Sequence, residues 1–144
     1  MEEIMIKYLV KTLVVVWIGT VIAAGQAMAD TLYVTVKNLT HGIYFTPLLI
    51  TAHDRDTRLF ELGVAASVEL QAMAEGGNVA LLADMVGGED RDTIITPLDQ
   101  LVEPGEIVSD LKLDTRGTRN RYLSMTAMLL PTNDGFVGLD SLRI

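Results

Sequence analysis

The residues with a claim to chemistry gather near the C-terminus, in Leu129-Leu130-Pro131-Thr132-Asn133-Asp134-Gly135-Phe136-Val137-Gly138-Leu139-Asp140-Ser141-Leu142. An apolar run enters a tight turn that carries Asp134. A second apolar run leaves with Phe136, Val137 and Leu139, and Asp140 lies six residues past Asp134. Carboxylates on turns between adjacent strands suit calcium, which takes about six to eight hard oxygen ligands from side chains and carbonyls together. The same Asn133-Asp134-Gly135 also makes an ordinary hairpin turn with no metal. Both readings stand on the residues alone.

Other chemistry finds less support. His41 and His53 are twelve residues apart and do not form an H-E-x-x-H pair. There is no G-x-S-x-G elbow and no Walker A loop. Gly87-Gly88-Glu89-Asp90 reads as a turn. Asp54-Arg55-Asp56-Thr57-Arg58 begins like an EF-hand loop, but position six is Leu59 and position twelve is Ala65, where glycine and glutamate belong. His53 beside Asp54 or Asp56 offers a general base. Its use in a hydrolase requires a pocket that holds an activated hydroxyl next to it; otherwise the pair belongs to a solvated loop. The chain has no cysteine, which excludes disulfides, thiolate metal sites and a thiol nucleophile. With 19 acidic against 11 basic residues the net charge is −8, and a phosphate-contacting nucleic-acid binder needs the opposite sign. The expectation is a protein that is not an enzyme.

The elements that must position these residues read mainly as strands. Over residues 31–38 Leu32, Val34 and Val36 alternate with Tyr33, Thr35 and Lys37, the pattern of a half-buried strand. Residues 44–52 are apolar but contain Pro47, which predicts an edge strand or an irregular extended segment. Ser67 caps a short helix to about Ala74, with Val68, Leu70 and Met73 as apolar contacts and Gly76-Gly77 as the stop. Residues 78–85 offer another helical turn, and Ile94-Ile95 a short strand limited by Pro97. Residues 106–114 alternate, with Ile107, Leu111 and Leu113 as the core face. Residues 122–130 predict a central strand, and Phe136 opens the last one. Strands, a small helical insertion, then strands again indicate a β-sandwich.

The first 29 residues stand apart. Lys7 and Lys11 precede an apolar run of about 12 residues, short of the ~20 a spanning helix needs, and Ala27-Met28-Ala29 is an A-x-A cleavage pattern. This predicts a signal peptide over 1–29 and a mature domain over 30–144, placed in the periplasm or outside the cell. The segment contains two acids and two bases, so the net charge of the remainder is again −8.

The segment around Pro131-Thr132-Asn133-Asp134 and Gly135-Phe136-Val137-Gly138-Leu139-Asp140-Ser141-Leu142 resembles the proline-x-x-Asp…Phe-Val-Gly-Val-Asp-Ser-Leu signature of the spondin N-terminal domain. Upstream, Phe45-Thr46-Pro47 leading to Ala52-His53, and Ala65-Ala66-Ser67 through Ala74-Glu75-Gly76-Gly77, follow the same order. The resemblance covers residues 31–144. It implies a C2-like, eight-stranded antiparallel β-sandwich with one calcium ion at an end, and a non-catalytic adhesion or interaction module. It also implies Asp134 as a calcium ligand and Asp114 as a second, after a shift of about one residue; Asp140 belongs to the signature as a ligand or as a brace for the turn. The family's third ligand lies in a loop beyond the point where this sequence stops. The expectation is therefore a domain lacking its last strands, with weakened calcium affinity. The partner it implies is a protein or a matrix or cell-surface ligand. The alternative is an interaction domain with no metal, in which these aspartates solvate turns.

Overall fold

The computed structural model describes residues 31–87, 92–97 and 99–144. The expected signal peptide, and most of the 87–92 loop, lie outside the described residues. Among the described residues seven strands form two antiparallel sheets, with two short helices inserted between the third and fourth strands.

β1 (Thr31–Lys37) and β5 (Ile107–Asp114) make a two-stranded ribbon. β2 (Tyr44–Phe45), β3 (Leu49–His53), β4 (Thr93–Ile95), β6 (Tyr122–Leu130) and β7 (Phe136–Arg143) make the main sheet. β6 is its centre: it pairs with β7 on one side and with β2 and β3 in succession on the other, while β4 lies outside β3. The ribbon packs on one face of this sheet. Leu32, Val34, Val36, Leu111 and Leu113 meet Ile50, Ala52, Leu123 and Ala127 there. The helices α1 (Val68–Gly76) and α2 (Ala80–Met85) cover the other face, where Leu70, Met73, Val79 and Leu82 meet Leu49 and Met128. Alternate residues of β3 and β6 thus feed two different cores, as a pleated strand requires.

The sandwich and its helical insertion match the sequence reading, and β1 follows the expected alternation. Ser67 Oγ accepts the Leu70 amide as the N-cap of α1. Gly77 ends the helix with φ at 68°, a left-handed cap that glycine adopts without steric cost. At the start of the helix the Glu69 backbone amide and the Ser67 hydroxyl hold the Glu69 carboxyl below the usual carboxylate range.

Four expectations change. Residues 49–53 are not an edge strand: all five are buried between β4 and β6. Pro47 sits in the break between β2 and β3, and threonine side chains replace the missing ladder bonds. Thr46 Oγ1 accepts the Met128 amide at 3.0 Å and Thr96 Oγ1 accepts the Leu48 amide at 2.8 Å. Ile107 is 55% exposed rather than in the core. Ser109 and Asp110 together oppose Thr35, because Val34 pairs with Leu111 and Val36 with Val108. This bulge, with Asp110 at φ 60°, inverts the phase, so Val108 faces inward in place of Ile107. Val68, at the outward start of α1, is 71% exposed. Finally, His53 is the last residue of β3, not a member of the charged loop that follows it.

Candidate functional site

The face of the main sheet that the helices cover is apolar at one end and polar at the other. Leu49 and Met128 lie at the apolar end. Toward the other end the same face carries Thr51, His53, Ser124 and Thr126, all buried. Antiparallel register places His53 opposite Tyr122, whose ring stacks on the imidazole with centroids 6.2 Å apart. The next inward residue on β6 is Ser124.

His53 and Ser124 form a directed hydrogen-bond chain. The Nδ1 of His53 lies 2.7 Å from the backbone carbonyl of Asp54, which only accepts, so Nδ1 donates. In the neutral ring Nε2 then accepts, and its partner at 2.7 Å is the Ser124 hydroxyl. Ser124 Oγ in turn accepts the Ser141 amide at 2.9 Å. That amide is free for it because β7 bulges there. Leu123 pairs with Leu142 and Met125 with Leu139, so Asp140 and Ser141 together face Ser124. Ser141 has φ 50°, the left-handed geometry of a bulge residue.

The chain closes on itself around the outside. The Ser141 hydroxyl donates to Asp140 Oδ1 at 2.7 Å, and Arg58 donates to Asp140 Oδ2 at 2.9 Å. Arg58 follows the loop that Asp54 organises: Asp54 Oδ1 accepts the amides of Asp56 and Thr57 and the Thr57 hydroxyl. The Thr57 hydroxyl and the Asp56 amide hold the Asp54 carboxyl below the usual carboxylate range. Phe60, farther along, lies edge-on to Phe136 at 5.3 Å and over Gly138, where a Cβ would come within 2.6 Å of the ring. Residues 54–60 therefore strap β3 to β7 across β6.

A serine hydroxyl on a histidine Nε2, with Nδ1 fixed by an oxygen, has the connectivity of an activated nucleophile. Here both groups are buried within the sheet. Ser124 is 0% and His53 3% exposed, and a backbone amide occupies the serine oxygen. A groove of 170 Å³ opens nearby between Arg58, Phe60, Val64, Leu70 and Met85, but neither His53 nor Ser124 lines it.

The three aspartates read from the sequence are not brought together. Asp134 is exposed at the turn that follows β6. Asp114 ends β5, with seven residues between it and the start of β6, so it lies at the opposite end of that strand. Nine residues of strand put roughly 25 Å between those ends. Asp114 accepts Nε of Arg116 at 2.9 Å on one oxygen and the other guanidinium nitrogen at 2.7 Å on its second, a bidentate pair. Asp140 lies within β7, held by Arg58 and Ser141. Two of the three carboxylates are thus neutralised by arginine, and Asp114 and Asp134 cannot share one ion. Among the described residues no three histidine, aspartate or glutamate side chains converge. This donor set does not fit a calcium site built from all three.

Sequence reading singled out His53, Asp54 and Asp140 separately but missed Ser124, Ser141 and Arg58 as their partners. The available signal was Ser124 itself, a polar residue on the inward phase of an otherwise apolar strand.

Among the described residues no helix is long and apolar enough to cross a membrane. No curated protein matches the chain. A family model does: Spondin_N aligns with residues 35–144, from within β1 through β7 and past the Asp134 turn. On that match, over most of its length, the chain belongs to the Spondin_N family, whose domains are of extracellular type.

Proposed function

We propose that the chain is a non-catalytic interaction module that works outside the cytoplasm, held together by its side-chain network rather than by a metal. Its partner is a protein or another surface-borne ligand. The observation that carries this reading is the use made of its reactive groups. The histidine and serine that could do nucleophilic chemistry are sealed in the sheet with their hydrogen-bonding atoms spent on structure. Two of the carboxylates suited to a cation are spent on arginines. Membership of an extracellular-type family supports the location. The 12-residue apolar run before Ala27-Met28-Ala29 supports export.

Calcium bound at the β6–β7 turn is the second reading, favoured by the exposure of Asp134. A thermal melt separates the two. The metal-independent module melts cooperatively at the same temperature in millimolar calcium and in chelator. A bound ion at about 100 times its Kd adds about 2.7 kcal/mol, which at about 4 °C per kcal/mol for a domain of this size is a rise of roughly 11 °C. A calcium-specific rise of that order, lost in Asp134→Ala, replaces the first reading with the second. Labelling of Ser124 by a fluorophosphonate serine probe overturns the non-catalytic reading.

A further inference from the structure

Asn38 follows β1 and is fully buried, although asparagine is ordinarily a surface residue. Its side chain is saturated. Nδ2 donates to the Ile43 carbonyl at 2.7 Å and to the Val102 carbonyl at 3.0 Å. Oδ1 accepts the Thr40 amide at 3.0 Å and lies 2.7 Å from the Thr40 hydroxyl. Its backbone is used as well: the amide donates to the Glu106 carbonyl and the carbonyl accepts the Gly105 amide. One side chain thereby ties the end of β1 to the entry of β2, to Val102 and to the turn before β5.

Asn38-Leu39-Thr40 is also an N-x-T sequence with a middle residue other than proline, the acceptor pattern for an N-linked glycan. The pattern ordinarily marks a surface loop. Here only its middle residue faces out, Leu39 being 74% exposed. The asparagine amide and the threonine hydroxyl, the groups that define the pattern, are both consumed by the fold. Transfer from a lipid-diphosphate-linked sugar joins Nδ2 to the sugar C1. The amide loses one hydrogen as a proton, and the lipid diphosphate leaves. The product keeps a single Nδ2 hydrogen for two buried carbonyls, and the sugar must stand where Ile43 and Val102 close over the nitrogen.

We propose that Asn38 is a conditional modification site, an acceptor only in the unfolded chain, where occupancy and the native fold exclude each other. The chain must then fold before it meets an oligosaccharyltransferase, or in a compartment without one. This inference does not depend on whether the module binds calcium.

The test installs the modification chemically, so that occupancy is complete. The full chain is assembled by ligation with one N-acetylglucosamine on Asn38, and in a second preparation with the same sugar on the exposed Asn133. Both are refolded beside the unmodified chain and melted by circular dichroism. The expected result is a cooperative melt for the unmodified and Asn133-modified chains and none for the Asn38-modified chain. A cooperative melt of the Asn38-modified chain within a few degrees of the unmodified one overturns the proposal. Failure of both modified chains overturns its site specificity.

Discussion

Replacing Ser124 by alanine removes one oxygen and breaks the chain at its middle. Ser124 is fully buried, so water does not take over its bonds. The Ser141 amide loses its acceptor, and the bulge leaves it no carbonyl across the sheet. Nε2 of His53 loses its donor. A buried polar group left unpaired costs about 1–3 kcal/mol, so two of them give a loss of about 2–4 kcal/mol after partial relaxation. At about 4 °C per kcal/mol for a domain of this size, the melting temperature falls by roughly 8–16 °C. Urea melts monitored by circular dichroism measure the loss directly. Hydrogen exchange locates it, because the Ser141 amide should exchange faster by more than the global destabilisation accounts for. A double-mutant cycle with His53→Phe should show a coupling of about 0.5–3 kcal/mol, since the two residues share one bond. A loss below about 1 kcal/mol for Ser124→Ala, with Ser141 protection unchanged, refutes the account of a directed chain through the sheet.

The strap makes its own prediction. Gly138→Ala places a Cβ within 2.6 Å of the Phe60 ring, which is held against Phe136, and overpacking of this kind costs about 1–3 kcal/mol. The same substitution in a Phe60→Leu background should cost measurably less by urea melt; an equal cost would place the strain elsewhere. Asp54 predicts a pH dependence. Its carboxyl is held below the ordinary value in the fold, so its contribution is complete above the unfolded value of about 3.9 and is lost as pH falls through the lower folded value. The stability difference between the native chain and Asp54→Asn should therefore be constant near neutral pH and shrink below about pH 4. A difference that persists unchanged at pH 2.5 would mean that the charge plays no part.

Much of the sandwich could be read from the sequence because its signals are local. The alternation in β1, the Ser67 cap and the Gly77 stop each depend on neighbours within a few residues. The failures share a different cause. Pro47 marks an edge only if the backbone beside it goes unpaired, and the Leu48 amide finds its acceptor in the Thr96 hydroxyl, 48 residues away. Ile107 fits an unbroken alternation, but the bulge at Asp110 is set by pairing with β1, more than 70 residues upstream. The site follows the same rule. His53, Ser124 and Asp140 are separated by up to 87 positions and meet only through strand register. The resemblance to a family located Asp134 and Asp140 as a motif. It could not reveal that Arg58 neutralises one of them.

The bulge at Asp140 and Ser141 has a bearing on colloidal behaviour. Among the described residues β7 pairs with β6 alone, which makes it an edge strand of the described sheet. A long, flat edge strand can template filament growth. The bulge interrupts this edge near its midpoint, turns the strand, and sets the Asp140–Arg58 ion pair beside it, while the Ser124 hydroxyl accepts the displaced Ser141 amide from within. The hydroxyl buried in the sheet thus lets the rim stay irregular, and an irregular rim resists stacking of one molecule on the next.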